Sequence, residues 1–183
     1  GAAVSTDGLR LAAFHASGAG NLWNIADGTR ITEFQGHSRP VHSVRFSASG
    51  TKLLTAAEDS VLLIRDLITR TDKSFDFDSQ VVTHAEWSPD EKQVLVTSRV
   101  KAEGQSVSRE QDKTSGAMLL EPETGKQVPL LTEGSAKFGT ISSDGAWIIV
   151  VSDSGTATLF NIVRGEMLPG LNVNRRPVYH AAF

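Results

Sequence analysis

The five histidines have the widest chemical range of any residues in this chain, since an imidazole ring can bind a metal ion or transfer a proton. His37 and His42 are five residues apart, but no acidic or cysteine partner stands beside them at metal-ligand spacing. His84 and His180 occupy the same place in two similar segments, and His15 falls within a predicted strand. Repeated positions of this kind indicate a structural role, so we predict no metal site.

Motifs for covalent or nucleotide chemistry are also missing from the sequence. It contains no nucleophile elbow, no phosphate-binding glycine loop and no dinucleotide fingerprint, and it has no cysteine for disulfides or thiolate catalysis. Glu121 with Glu123, and Asp76 with Asp78, are close pairs of carboxylates, but we predict them in turns or edge strands. We therefore expect no catalytic residue and no cofactor in this segment.

The charge of the chain is nearly balanced, with 18 Lys and Arg residues against 21 Asp and Glu residues and a formal net charge of -3. Both signs are spread along the sequence, which argues against a nucleic-acid or membrane partner. No apolar stretch is long enough to cross a bilayer, and we interpret the chain as cytoplasmic. Arg175, Arg176 and Arg39 add a small positive surface, which is either solvated or a site for an acidic partner.

The elements that must position these residues are short strands. Glycine and small polar residues punctuate the sequence every 8 to 12 residues, and segments rich in Val, Ile, Leu, Phe and Thr lie between them. Examples are residues 53–55, 94–97 and 147–151. Many short strands without an apolar 3.6-residue period predict an all-β sandwich, barrel or propeller.

The strands repeat along the chain in two interleaved series. Gaps of 41, 54 and 42 residues separate the first set of strand ends, which are Phe46, Trp87, Ile141 and Phe183. Gaps of 42, 55 and 40 residues separate the second set, which are Trp23, Arg65, Leu120 and Phe160. Three members of the first set precede turns such as Ser142-Ser143-Asp144-Gly145, whose residue types favour tight turns. Agreement between the two series indicates a structural repeat of about 42 residues.

The repeat unit resembles the WD repeat. Its best copy reads Gly36-His37, then a strand at 41–46, a turn at 47–50, and strands at 53–57 and 63–66. The resemblance implies a β-propeller with four antiparallel strands per blade, and it divides the chain into units 1–46, 47–87, 88–141 and 142–183. We expect these four blades to begin after one first strand and to form part of a six- to eight-bladed ring, the rest of which lies outside this chain. Closure by pairing of 178–183 beside 9–14 is the alternative.

In this family, each blade is stabilised by a His, a Ser or Thr, an Asp and a Trp that hydrogen-bond to one another. The best copy keeps His37 and Asp59, and the resemblance puts Ala57 and Arg65 at the hydroxyl and tryptophan positions. Among the other copies, the first keeps the tryptophan as Trp23. The last keeps the hydroxyl residue as Ser152 and has Phe160 in the place of the tryptophan. The long third spacing reflects a polar insertion at about 99–114, which we predict to be a surface loop.

By the same resemblance, partner contacts fall in three places per blade: the loop before the first strand, the start of that strand, and the turn after the second. These positions hold Arg39, His42, Glu58, Thr83, Lys137, Asp153, Arg176 and Tyr179. We predict a non-catalytic scaffold that binds proteins or peptides. The alternative is an accessory or gating propeller of a peptidase or kinase whose catalytic residues lie elsewhere, and a propeller enzyme with a metal in its channel is a third hypothesis.

Overall fold

The computed structural model describes residues 1–77, 80–100, 116–130, 135–152, 154–172 and 183. All regular structure in these ranges is β, arranged as sixteen strands in four antiparallel sheets of four strands each. Each sheet contains consecutive strands paired in sequence order. The predicted all-β class with propeller blades is therefore confirmed. Within the same ranges, the structure contains no apolar helix of membrane-spanning length.

The first sheet contains β1 (Ala2–Val4), β2 (Arg10–Phe14), β3 (Gly20–Asn24) and β4 (Arg30–Phe34). The second contains β5 (Val41–Phe46), β6 (Lys52–Ala57), β7 (Val61–Asp66) and β8 (Asp72–Asp76). The third contains β9 (Gln80–Trp87), β10 (Val94–Val100), β11 (Gly116–Leu120) and β12 (Gln127–Leu130). The fourth contains β13 (Ala136–Ile141), β14 (Trp147–Ser152), β15 (Thr156–Asn161) and β16 (Glu166–Asn172).

A serine closes the turn between the first and second strands of every sheet. Ser142 Oγ accepts a hydrogen bond from the Trp147 amide at 2.9 Å and donates to the Asp144 carboxylate at 2.5 Å. The matching serines are Ser5, Ser47 and Ser88. The serine hydroxyl is the main cause that lowers the pKa of Asp144, as it is for Asp7 and Asp90. Local side-chain bonds thus explain why this sequence pattern recurs at each turn.

The turn between the third and fourth strands also recurs, and it is tied to the serine turn of the same sheet. The amides of Ile25, Leu67 and Ile162 donate to the carbonyls of Leu9, Thr51 and Ala146 at 2.8–2.9 Å. The third sheet has Pro122 at this place, and proline has no amide hydrogen to donate. The two sequence series therefore correspond to two contacting turns of one sheet.

The start of the chain differs from the sequence expectation. Ala2–Val4 forms a first strand that pairs with Arg10–Phe14, so the prediction that the chain begins after a first strand is wrong. The segment is too short and too poor in aromatic and branched residues to stand out in the sequence. Because β2 has β1 on one side and β3 on the other, the alternative closure beside 9–14 is also wrong. Its proposed partner segment, 178–182, lies outside the described residues.

The chain divides into two compact units, Gly1–Ala85 and Glu86–Phe183, each with its own hydrophobic core. The core of the first unit contains Leu22, Phe34, Val41, Val44 and Leu53. The core of the second contains Leu95, Leu119, Ile148, Val150 and Phe160. In the third sheet β10 runs through Val100, so residues 99 and 100 belong to a strand, and the remainder of the predicted insertion lies outside the described residues.

Candidate functional site

A buried histidine organises the beginning of the second sheet. His37 Nδ1 lies 3.2 Å from both carboxylate oxygens of Asp59, and Nε2 lies 2.9 Å from Thr55 Oγ1. The histidine and aspartate side chains are 1% and 8% exposed. The prediction that Ala57 occupies the hydroxyl position is wrong, because the hydroxyl comes from Thr55, two residues earlier on β6. The second sheet therefore keeps three of the four bonded side chains.

The protonation state of this network follows from its surroundings. Burial lowers the pKa of His37, and the Asp59 carboxylate opposes that effect, so the ring is neutral near pH 7. A carboxylate can only accept hydrogen bonds, which assigns the ring proton to Nδ1 and leaves Nε2 to accept from Thr55. Asp59 also accepts the amides of Ser38 at 2.8 Å and Val61 at 3.1 Å. One carboxylate thus holds the loop before β5 against the turn after β6.

Arg65 stands in the tryptophan position and takes over part of its packing role. Its guanidinium lies 4.7 Å from the centroid of the Phe34 ring and donates to the Gln35 carbonyl at 3.0 Å. The same group makes a two-point ion pair with Asp72 on β8. Arg65 therefore links the end of the first sheet to the second sheet through a cation–π contact and hydrogen bonds.

The loop before β5 packs closely against the turn between β2 and β3 of the first sheet. Gly18 has a φ of +88°, and a Cβ atom there would lie 2.2 Å from the His37 carbonyl oxygen and 3.0 Å from that of Arg39. Only glycine fits this approach without displacement of the backbone. Loop residues 37–39 are thus held by the close approach of Gly18 and by the hydrogen bonds to Asp59.

Three of the predicted contact residues meet on this fixed framework, and we call Arg39, His42 and Glu58 the loop cluster. All three are exposed, and the Glu58 amide donates to the Pro40 carbonyl at 3.2 Å. Val41 pairs with Ala57 and Ser43 with Ala56, which makes His42 the extra residue of a β-bulge. Bulges re-aim side chains and are common beside functional sites.

His42 has a structural role in addition to its exposure. One ring nitrogen donates to the carbonyl of Val82 on β9, next to the predicted contact residue Thr83, which is half-buried. Ser43 Oγ is 3.4 Å from both the amide nitrogen and the carbonyl oxygen of Ala85. The structure thus brings Thr83 close to the loop cluster.

Lys137 occupies the same bulge position in the fourth sheet. Ala136 pairs with Ser152 and Phe138 with Val151, so Lys137 is the extra residue, and its side chain is exposed. The recurrence of the bulge in two sheets is a feature that the sequence did not reveal. The candidates Asp153, Arg176 and Tyr179, like residues 101–114 of the insertion, lie outside the described residues.

The remaining motif residues serve their own sheets. Trp23 is half-buried on β3, opposite Leu11 and Arg30. Ser152 Oγ accepts the Thr156 amide at 3.1 Å and lies 2.7 Å from Ser154 Oγ, so it closes the turn between β14 and β15. Phe160 lies in the core of the second unit. In the described part of the chain, no three His, Asp or Glu residues are grouped as metal ligands.

Two comparisons with known proteins agree with this architecture. Residues 28–66 match the family model described as "WD domain, G-beta repeat". The match runs from the last turn of the first sheet to the end of β7 and includes His37, Thr55 and Asp59. A stretch of 68 residues is 40% identical to Autophagy-related protein 16 of Arabidopsis thaliana, which is 37% of this chain and 13% of that protein. The match thus spans about an eighth of the length of that relative.

Proposed function

We propose that this chain, of which residues 28–66 match the WD-repeat family model, is a non-catalytic scaffold that binds other proteins or peptides through its loop cluster. The observation that carries the proposal is the framework beneath Arg39, His42 and Glu58: exposed side chains stand on backbone fixed by the His37–Asp59–Thr55 network. A rigid platform loses little conformational entropy on binding, which favours affinity.

The residue types of the loop cluster suit protein recognition. It contains a cation, an anion and an imidazole within one short region, so it can form directional hydrogen bonds with a polar partner surface. Arginine is also frequent among the residues that dominate interface energetics. We extend the proposal to Thr83 and Lys137, and to Asp153, Arg176 and Tyr179 by their matching positions in the repeat.

Affinity capture with variants that reverse or remove a charge of the loop cluster tests this proposal. The immobilised 183-residue chain captures binding proteins from a cell extract, and quantitative mass spectrometry compares the wild type with Arg39→Glu and Glu58→Ala. Arg164→Glu is the matched control, because Arg164 is also an exposed arginine but lies in the turn between β15 and β16. We expect specific partners to be depleted by the loop-cluster variants and retained by the control. Equal capture by all variants would contradict the proposal.

The alternative hypothesis places this propeller segment beside a peptidase or kinase domain as an accessory or gating module. It stays a prediction, and its test is the reading frame on either side of the segment. Catalytic motifs in the adjoining sequence, together with a change in that activity on Arg39→Glu, would favour it over a pure scaffold.

A further inference from the structure

The first sheet presents apolar side chains on the face that points away from the second sheet. Ala12 and Leu22 belong to the core shared with the second sheet, and residues that alternate with them along a strand point to the opposite face. We call the apolar residues of that opposite face the first-sheet row, which consists of Val4 on β1, Leu11 on β2, Trp23 on β3 and Ile25 in the following turn. Val4 and Ile25 are 55% and 46% exposed, and the other two are half-buried.

The positions that match this row in the second and fourth sheets belong to hydrophobic cores. In the second sheet these positions hold Phe46, Leu53 and Leu67. In the fourth sheet they hold Ile141, Ile148, Phe160 and Ile162. Leu53 and Ile148 are 1% and 0% exposed, whereas their counterpart Leu11 is half-buried. In both cases the preceding sheet supplies the cover, so the chain shows the same contact between sheets twice.

The covering residues are apolar side chains on the second and third strands of the preceding sheet. They are Ala12 and Leu22 in the first sheet, and Leu95 and Leu119 in the third. All four are at most 5% exposed. Arg10 contributes to the cover of the second sheet, because its guanidinium lies 5.9 Å from the centroid of the Phe46 ring.

The fourth sheet carries the same kind of covering face, and there it is accessible. Ile149 pairs with Leu159 as Leu95 pairs with Leu119, but the pair in the fourth sheet is only half-buried. Leu168 lies opposite Leu159 on β16 and is 40% exposed. Trp147 takes the place of Arg10, since the amide of each donates to the serine of its turn. We call Trp147, Ile149, Leu159 and Leu168 the fourth-sheet row.

We propose that the fourth-sheet row of one copy of this chain packs on the first-sheet row of a second copy. A second copy is the occupant that the chain itself specifies, because it carries a covering face at the strand positions that cover the second and fourth sheets. In this contact Trp147 lies over Val4, as Arg10 lies over Phe46. The contact removes two apolar faces from water, which favours association.

The contact is head to tail, since each copy has one row of each kind. Two copies of four sheets each make eight sheets, which is within the range of propellers, so two reciprocal contacts complete a dimer. The loop cluster contributes to neither row, and self-association is therefore separate from the proposed binding of other proteins.

Sedimentation velocity and light scattering on the 183-residue chain test the inference across a range of concentrations. We expect a species of twice the 19.6 kDa chain mass. Val4→Glu and Leu168→Glu should each raise the dissociation constant at least about tenfold, because a carboxylate is unfavourable in an apolar contact. Ile68→Glu is the matched control, because Ile68 is 73% exposed in the turn after β7 and belongs to neither row. A monomer at every concentration overturns the inference.

Mixing the two row variants tests the head-to-tail arrangement. Val4→Glu keeps an intact fourth-sheet row, and Leu168→Glu keeps an intact first-sheet row, so copies with different affinity tags should copurify when mixed and not when alone. One contact remains in the mixture, and its affinity should be lower than that of the wild type. Failure of the mixture to associate overturns the inference, as does a Leu168→Glu variant that dimerises like the wild type. Ile25→Glu replaces Val4→Glu if the latter lowers the thermal unfolding midpoint.

Discussion

Among the residues that the structure describes, three other than glycine adopt left-handed backbone conformations. They are Ser60 at φ 72°, Arg70 at φ 59° and Glu91 at φ 59°. Each lies in a turn where other sheets place a glycine with positive φ. In the turn between the second and third strands, Ser60 stands where other sheets have Gly18 and Gly155. In the turn between the third and fourth strands, Arg70 stands where others have Gly28, Gly125 and Gly165. In the turn between the first and second strands, Glu91 stands where others have Gly8, Gly50 and Gly145. The comparison between repeats therefore identifies three sites of local strain, each costing about 1–2 kcal/mol.

Replacement of Arg70 by glycine should stabilise the chain. Arg70 is exposed and has no ion pair in the described part of the structure, so the change removes strain without removing a stabilising contact. We expect the free energy of unfolding to rise by about 1 kcal/mol in urea denaturation. Thr69→Gly is the control, since its φ is ordinary: the change adds chain entropy to the unfolded state and removes the contact of the Thr69 hydroxyl with Thr71, so it should lower stability. A loss of stability in both variants would show that Arg70 is not strained.

The buried His37 predicts a pH-dependent stability. Burial lowers its pKa in the folded state below the ordinary value of 6.5, although Asp59 opposes the shift. The unfolded chain therefore binds a proton more readily, and stability is complete above pH 6.5 and falls as pH decreases below that value. Chemical denaturation at several pH values should show this slope in the wild type, and His37→Gln should flatten it. His15→Gln is the control, because His15 is exposed, and it should keep the slope.

At the scale of the elements, contact between two turns decides how firmly the loop cluster is held. Gly18 lies in the turn between β2 and β3, and it contacts the backbone that carries Arg39. Gly28 lies in the turn between β3 and β4, where a Cβ would have no atom within 4 Å. Both glycines have positive φ, so alanine would pay the same conformational penalty at either position. The two positions differ in how closely other atoms approach the added methyl group.

Substitution of these two glycines by alanine separates the two effects. Gly28→Ala should lower the free energy of unfolding by about 1 kcal/mol, the cost of a left-handed alanine. Gly18→Ala should lower it by about 2–5 kcal/mol, because its methyl group also overlaps the His37 carbonyl. Thermal or urea unfolding measures both, and partner capture should weaken only for Gly18→Ala. Equal losses of stability would mean that the loop before β5 yields to the added methyl group.

At the scale of the whole molecule, the period of about 42 residues was sufficient to predict the four sheets and both families of turns. Those features depend on local chemistry, such as a serine that bonds within its own turn, and local chemistry is visible in sequence. The identity of Thr55 in the histidine network was missed, because the resemblance to the repeat put the hydroxyl position at Ala57, two residues later on β6, and only the side-chain contact with His37 identifies Thr55. The packing of Arg65 was missed as well, since it arises from contacts between sheets that no spacing encodes.

The insertion in the third repeat offers a test at this largest scale. Ser98 on β10 pairs with Gly116 at the start of β11, so two residues directly opposite each other flank the insertion. Deletion of residues 101–113 leaves residues 99, 100, 114 and 115 to connect them, and hairpin loops of four residues are common. The thermal unfolding midpoint should therefore remain within a few degrees of the wild-type value. If the insertion contributes to binding, as its sequence position predicts, partner capture should fall in the deletion. A variant with a glycine–serine segment of equal length should show the same loss, whereas undiminished capture by the deletion would remove the insertion from the binding surface.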